Sequence, residues 1–157
     1  MFTKPFLRSS EIAVPIVVDT NVLVPSLYIV TPLLRFVLSG NLILLWNEFI
    51  QLEAHEIIDR LANRYHKKTN VSNHEVHYLL DCIFYDENKI PEMPEDWPPH
   101  SLDRDDDPFL WVAIAEKGEY IVLSDIRHIL KLGNVCGIPI GTPKDFFDWV
   151  KITHPMK

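Results

Sequence analysis

Acidic side chains at the ends of apolar runs are the residues of this chain best suited to chemistry. Asp19 closes the run Ile16 to Val18 and is followed by Thr20 and Asn21, and a second acid, Asp125, follows Ser124 after the run Tyr120 to Leu123. Short runs of Val and Ile, in a chain that also carries helical patterns, read as buried parallel strands. Ligands of open parallel sheets sit beyond the carboxyl ends of the strands, so the expected site lies between these two strand ends. Asp103, Asp105, Asp106 and Asp107 crowd the start of an apolar helical run with Pro108 in its first turn. A helix dipole rewards each such acid by only ~0.3–1 kcal/mol, and mutual repulsion offsets part of that gain. The excess points to a bound cation or a cationic neighbour. Glu53 lies at the border of an apolar helix face, whereas Glu56 has Arg60 four residues on as a surface partner. Taken singly, each acid has a plain structural account: Asp19 as a turn residue, Glu53 as solvated helix surface, Asp125 as a strand end or helix cap.

The elements that must position these acids alternate along the chain. After the first strand, Leu34, Val37 and Leu38 suggest a helix over Leu27 to Ser39, stopped by Gly40. Leu42 to Trp46 reads as a second strand. Ile50, Ala54, Ile57, Ile58, Leu61 and Tyr65 recur at three and four residues, which predicts a helix over Glu48 to Tyr65. A polar break from His66 to Asn70 precedes a further helix carrying Val76, Leu79, Leu80 and Ile83. Lys89 and Ile90 suit a short third strand. Four prolines between Ile90 and His100 then impose a loop. The apolar helix after Asp107 ends at Lys117 and Gly118, strand Tyr120 to Leu123 follows, and then a short helix around Ile126 to Leu132. A strand Ile138 to Ile140 and a last helix, capped by Thr142 and Pro143 and running through Val150, complete the pattern. Strands alternating with helices imply an α/β fold with a parallel sheet covered on both faces.

Composition bounds what such a fold does. The 157 residues fit one domain, 1–157, able to bury a core without staples. A net charge of −7 and a pI near 5.4 argue against binding nucleic acid or membrane by bulk electrostatics, so any nucleic-acid role needs local cations. Cys82 and Cys136 lack metal-ligand spacing and read as reduced core thiols. The amino-terminal stretch has no apolar segment of signal-peptide length, and no run approaches the ~20 residues of a membrane span. The expectation is a soluble, cytoplasmic protein with no membrane partner.

IVVDTNVLV near the start, the Glu53 to Arg60 stretch, DRDDDPFLWVAIA, YIVLSD and IPIGTPKDFFDWV occur in an order that resembles the PIN-domain ribonuclease family over nearly the whole chain. The resemblance is to the branch of toxin components of toxin–antitoxin pairs, in which an aspartate-rich segment precedes a helix and TP-x-x-F opens the last one. It implies a three-layer α/β/α sandwich with a five-stranded parallel sheet of order 3-2-1-4-5. The family's acidic tetrad falls on Asp19, Glu53, Asp107 and Asp125 as catalytic residues, with Asp19, Asp107 and Asp125 as metal ligands. Asn21, Ser124 and Asp105 are its supporting positions. Within the run the resemblance favours Asp107, because Leu110 then takes the sheet-facing position three residues later. Pro25 and Arg104 depart from the branch's pattern.

Four converging carboxylates call for a hard divalent ion with oxygen ligands, Mg²⁺ or Mn²⁺. The implied activity is endoribonucleolytic hydrolysis by an activated water. RNA would be gripped by Arg60, Arg104 and Arg127, alongside Arg64, Lys67 and Lys68. An antitoxin protein and a second copy of the chain are the further partners implied. A phosphatase of the kind that carries Asp-x-Asp after its first strand would need an aspartate at Asn21. A silent module that binds RNA or protein on the same fold is the alternative.

Overall fold

The computed structural model describes residues 13–101, 104–124 and 134–155, the side chains of residues 66–68 excepted. Its centre is strand β1 (Val14–Val18), whose residues other than Pro15 are buried. Strand β2 (Leu42–Leu44) lies parallel on one side, pairing Ile16 with Leu44, and β3 (Tyr120–Val122) lies parallel on the other, pairing Val18 with Val122. Next to β3 comes β5 (Ile138–Gly141), also parallel, and at the edge β4 (Asn134–Val135), which is antiparallel. The order is therefore β2-β1-β3-β5-β4.

The expected adjacency of the first strand and the one at Tyr120 is present, and two details of the sheet differ. The strand expected at Lys89 shrinks to a single parallel bridge with Trp46, held by Trp46 N–H to Asn88 O and Ile90 N–H to Trp46 O. Pro91 follows at once and has no N–H with which to extend the ladder. The antiparallel edge arises because Cys136 (φ 48°) and Gly137 (φ 82°) form a two-residue turn with both dihedrals positive, which folds β4 back along β5.

Helix α1 (Thr20–Tyr28) springs directly from β1, and α2 (Pro32–Leu38) follows after a bend of 88°. The helix expected over Leu27 to Ser39 is therefore α2 with only the last two residues of α1, and the rest of α1 lies ahead of it. Thr31 caps α2 with Pro32 at its first position, and Gly40, at φ 80°, stops it. Helix α3 (Glu48–Thr69) runs past the expected stop at Tyr65 to Asn70, whose φ of 56° terminates it. Its inward face is Ile50, Ala54, Ile57 and Ile58. Helix α4 (Asn73–Ile83) starts in a Ser72–Glu75 capping box and buries Val76, Leu80 and Ile83, but leaves Leu79 exposed. Helix α5 (Asp107–Ala115) is buried on most sides, with Phe109, Leu110, Val112 and Ala113 in the core between β1, β3 and α3.

Helix α6 (Pro143–Thr153) packs on β3 and β5. Its opening motif has a local explanation: Thr142 and Asp145 form a capping box, Pro143 takes the first turn, and Phe146 is fully buried. Together the elements make a three-layer α/β/α arrangement around a mostly parallel sheet. No single helix among the described residues is long and apolar enough to cross a membrane. Cys82 and Cys136 are exposed, correcting their assignment to the core, because Cys82 falls on the outer face of α4 and Cys136 in the hairpin turn. The helix expected around Ile126 to Leu132 lies outside the described residues.

Candidate active site

The chain turns from strand to helix at Asp19. Its N–H continues the β1–β3 ladder by donating to Val122 O (2.8 Å), while its carbonyl accepts from Val22 N–H and Leu23 N–H (2.9 Å each). Its side chain does not cap α1. The residue is 1% exposed, so its carboxylate is held in the fold at the carboxyl end of the central strand, where the positive end of α1 also lies. Ser124, just past the end of β3, donates from Oγ to Asp19 Oδ2 at 3.3 Å. The two strand ends singled out in the sequence are therefore joined side chain to side chain.

Glu53 reaches the same place from α3. Thr20, buried and next to Asp19, donates from Oγ1 to Glu53 Oε1 at 2.5 Å. Helix α1 packs on α3 directly behind this contact. Asn21 is exposed on the first turn of α1. Asp125, one residue beyond Ser124, lies outside the described residues, as does Arg127.

The aspartate run divides by burial. Arg104–Asp106 forms a 3-10 turn ahead of α5, with Asp105 exposed, Asp106 4% exposed and Asp107 fully buried. Asp107 accepts from Ser101 N–H (2.9 Å) and Ser101 Oγ (2.7 Å) at Oδ1, and from Arg104 Nη1 (2.9 Å) at Oδ2. His100 N–H is shared between its two oxygens at 3.2 and 3.3 Å. Each of these donors comes from the approach loop. Asp106 precedes α5 without capping it. Among the described residues, no group of three or more His, Cys, Asp or Glu side chains is gathered closely enough to hold a metal ion.

Residues 15–127 match the family model of the PIN domain. The chain belongs to the PIN-domain family. The matched span includes Asp19, Glu53, the aspartate run and Asp125. No curated protein and no solved structure gives a significant match. A PIN domain is a nuclease-type fold acting on RNA, which accords with a buried acid, Asp19, at the carboxyl end of the central strand of a mostly parallel sheet.

The cations expected to grip RNA on this PIN domain are not alike. Arg60 is exposed on α3. Arg104 is committed internally, to Asp107 and to Glu95 O. Sequence reasoning passed over Thr20, although a hydroxyl beside the strand-end acid was the available signal. It also passed over Asn47, which is 1% exposed and accepts from Ile50 N–H at the start of α3. Continuing the β1–β2 register by three residues sets Asn47 level with Asp19. The cleft lined by Tyr28, Ala62, Asn63, Val71, Ser72 and Asn73 begins at the far end of α1 from Asp19 and holds none of the acids.

Proposed function

We propose that this PIN domain is a divalent-metal-dependent endoribonuclease that hydrolyses RNA phosphodiester bonds, and that it is the toxin of a toxin–antitoxin pair. The observation that carries the catalytic part is the Thr20–Glu53 hydrogen bond, which ties a second carboxylate to the residue that follows the buried Asp19. The toxin reading rests on the aspartate-rich approach to α5 and the Thr142–Phe146 opening of α6. Its partners in this reading are RNA, an antitoxin protein and a second copy of the chain.

The donor set is of carboxylate and hydroxyl oxygens, the hard ligands that suit Mg²⁺ or Mn²⁺ rather than a thiophilic ion. Asp19 and Asp125 are the residues we assign to hold it, and we move the third place from the expected Asp107, whose two oxygens are taken up by the approach loop, to its buried neighbour Asp106. Such an ion supplies charge stabilisation at the phosphoryl group and a more acidic water. Ser124 orients the Asp19 carboxylate through Oδ2, and Thr20 orients Glu53 through Oε1. Glu53, half-buried on α3, takes the proton of the attacking water. Asp107 fixes the approach loop, and Asp105 stands on its exposed edge. Arg60 and Arg127 contact RNA phosphates, because a chain of net charge −7 needs local cations for that task.

Cleavage of single-stranded RNA by the purified chain tests the reading. Activity is expected with Mg²⁺ or Mn²⁺, absent in EDTA and absent in Asp19→Asn. Cleavage that continues in chelator, or that Asp19→Asn retains, rejects it.

A further inference from the structure

On the other flank of α3 from Glu53 the sequence places His55 four residues before Asp59, and α4 repeats the pattern with His77 four residues before Asp81. The two helices cross these pairs. His55 Nε2 lies 2.7 Å from Asp81 Oδ1, and His77 Nε2 lies 2.7 Å from Asp59 Oδ1. The ring centroids lie 4.9 Å apart with planes inclined by 17°, and the two Nδ1 atoms are 2.6 Å apart on the line between them, so the rings meet edge to edge through these nitrogens. Gln51 Nε2 donates to Asp81 Oδ1 at 2.9 Å and Asn73 Nδ2 to Asp59 Oδ1 at 3.1 Å, so the carboxylates are themselves positioned. The bonds from Asn73 and His77 hold the Asp59 carboxyl below its usual range.

Chemistry limits what can sit between the rings. A carboxylate only accepts, so each Nε2 carries a proton, and a neutral ring then presents a lone pair at Nδ1. Two such lone pairs at 2.6 Å repel unless a cation lies between them. One proton would leave the group of two histidines and two aspartates with a net charge of −1, whereas a divalent ion on neutral rings leaves it at zero. Imidazole nitrogen favours Zn²⁺ and its late first-row neighbours over Mg²⁺. A histidine that ligates through one nitrogen and donates the other N–H to a fixed carboxylate has the usual outer-shell support of a zinc ligand.

We propose that His55 and His77 bind one Zn²⁺ through their Nδ1 atoms, clipping α3 to α4, with Asp81 and Asp59 as the outer-shell partners. Zn–N bonds of ~2.0–2.1 Å in tetrahedral geometry set the nitrogens roughly 3.3 Å apart and out of line, so the rings must part by roughly 0.7 Å and tilt toward a common ligand position. The histidine side chains are 25% and 26% exposed, which lets water complete the coordination. The site does not depend on the nuclease reading.

Zn²⁺ is titrated into the full chain with Mg²⁺ in excess to occupy the oxygen-ligand site. Binding is followed by calorimetry and by long-range ¹H–¹⁵N NMR of the histidine rings. The expected result is an equivalent of Zn²⁺ that moves the Nδ1 resonances of His55 and His77 while both Nε2 atoms stay protonated. His55→Gln and His77→Gln should each weaken it at least tenfold, and Asp59→Asn or Asp81→Asn by about ten- to a hundredfold. Asp19→Asn should leave it unchanged. Nδ1 resonances that answer to pH but not to Zn²⁺ overturn the proposal, as does an equivalent that persists in His55→Gln or vanishes in Asp19→Asn. The wild-type spectrum decides the matter even if a variant fails to fold.

Discussion

Thr20 Oγ1 donates to Glu53 Oε1 across 33 residues of sequence, and this contact sets the carboxylate of α3 beside the end of β1. Thr20→Val keeps the shape and removes the donor. A hydrogen bond to a charged group contributes about 1.5–3 kcal/mol, and catalytic groups displaced by about 1 Å lose on the order of 10²-fold in rate. Single-turnover RNA cleavage should therefore fall by about that factor in Thr20→Val and recover in Thr20→Ser. Wild-type rates in Thr20→Val would remove Glu53 from the site.

The charge at Asp19 makes a second prediction. A carboxylate only 1% exposed is costly to keep charged without a cation. Asp19→Asn should melt at least as high as wild type in EDTA. Mn²⁺ should raise the wild-type Tm and not that of the variant, a ligand at a hundred times its Kd stabilising by about 2.7 kcal/mol. Thermal melts of both proteins with and without Mn²⁺ check this, and a wild type indifferent to the ion contradicts it.

The framework of the site was legible because strand ends carry local signals. An acid closing the Val-rich run at Val14–Val18, and Ser124 after β3, needed no tertiary information to be singled out. The strand at Lys89 was over-read, since Lys89 and Ile90 stand directly before Pro91, which leaves no room for a ladder. Most of α1 was missed because Pro25 lies inside it, where propensity argues against a helix and burial of Leu23, Val24 and Leu27 overrides. The pairing of His55 with Asp81 was invisible, because helix periodicity says which face a side chain takes but not which partner crosses it. Burial within the aspartate run was equally out of reach, since it depends on how the proline-rich loop folds back over α5. Trp97, partly buried, stacks on His100 with centroids 3.9 Å apart and meets Trp111 edge-on, and Trp111 Nε1 donates to Pro91 O.

Alkaline pH should loosen the packing of Tyr120 against α6. Burial, with Asp145 and Asp148 nearby, pushes the Tyr120 phenol up to about 12 from its ordinary 10.0. Burial also raises Tyr28, with Asp59 and Tyr65 adding to it. A raised phenol favours the neutral form in the folded state, so its stability is fully present below pH 10 and is lost as the pH rises toward 12. Two units at ~1.36 kcal/mol each bound the Tyr120 contribution at under about 3 kcal/mol. Urea melts between these pH values should show the loss, and Tyr120→Phe should flatten part of it. An unchanged slope in Tyr120→Phe would assign the loss elsewhere.

Asp107 and Asp106 are neighbours with different work. Asp107 gives both oxygens to His100, Ser101 and Arg104, so its charge holds the loop against the start of α5. Asp107→Asn leaves Arg104 without its counter-charge and offers an N–H₂ where two donors already point. Breaking a buried pair costs 3–5 kcal/mol; with Arg104 38% exposed the cost should be smaller, about 2–3 kcal/mol. A cycle with Arg104→Met isolates the pair and should return a coupling of at least about 1 kcal/mol. Asp106 is the other buried acid of the run, and its removal breaks none of those loop bonds. Asp106→Asn should lose cleavage by orders of magnitude while it remains folded by circular dichroism. Asp107→Asn should lose stability first, and keep measurable single-turnover cleavage at low temperature, where it remains folded by circular dichroism. Asp105→Asn, on the exposed edge, should change each by little. A fully stable, inactive Asp107→Asn beside an active Asp106→Asn would return the metal-holding role to Asp107 and make the loop bonds incidental.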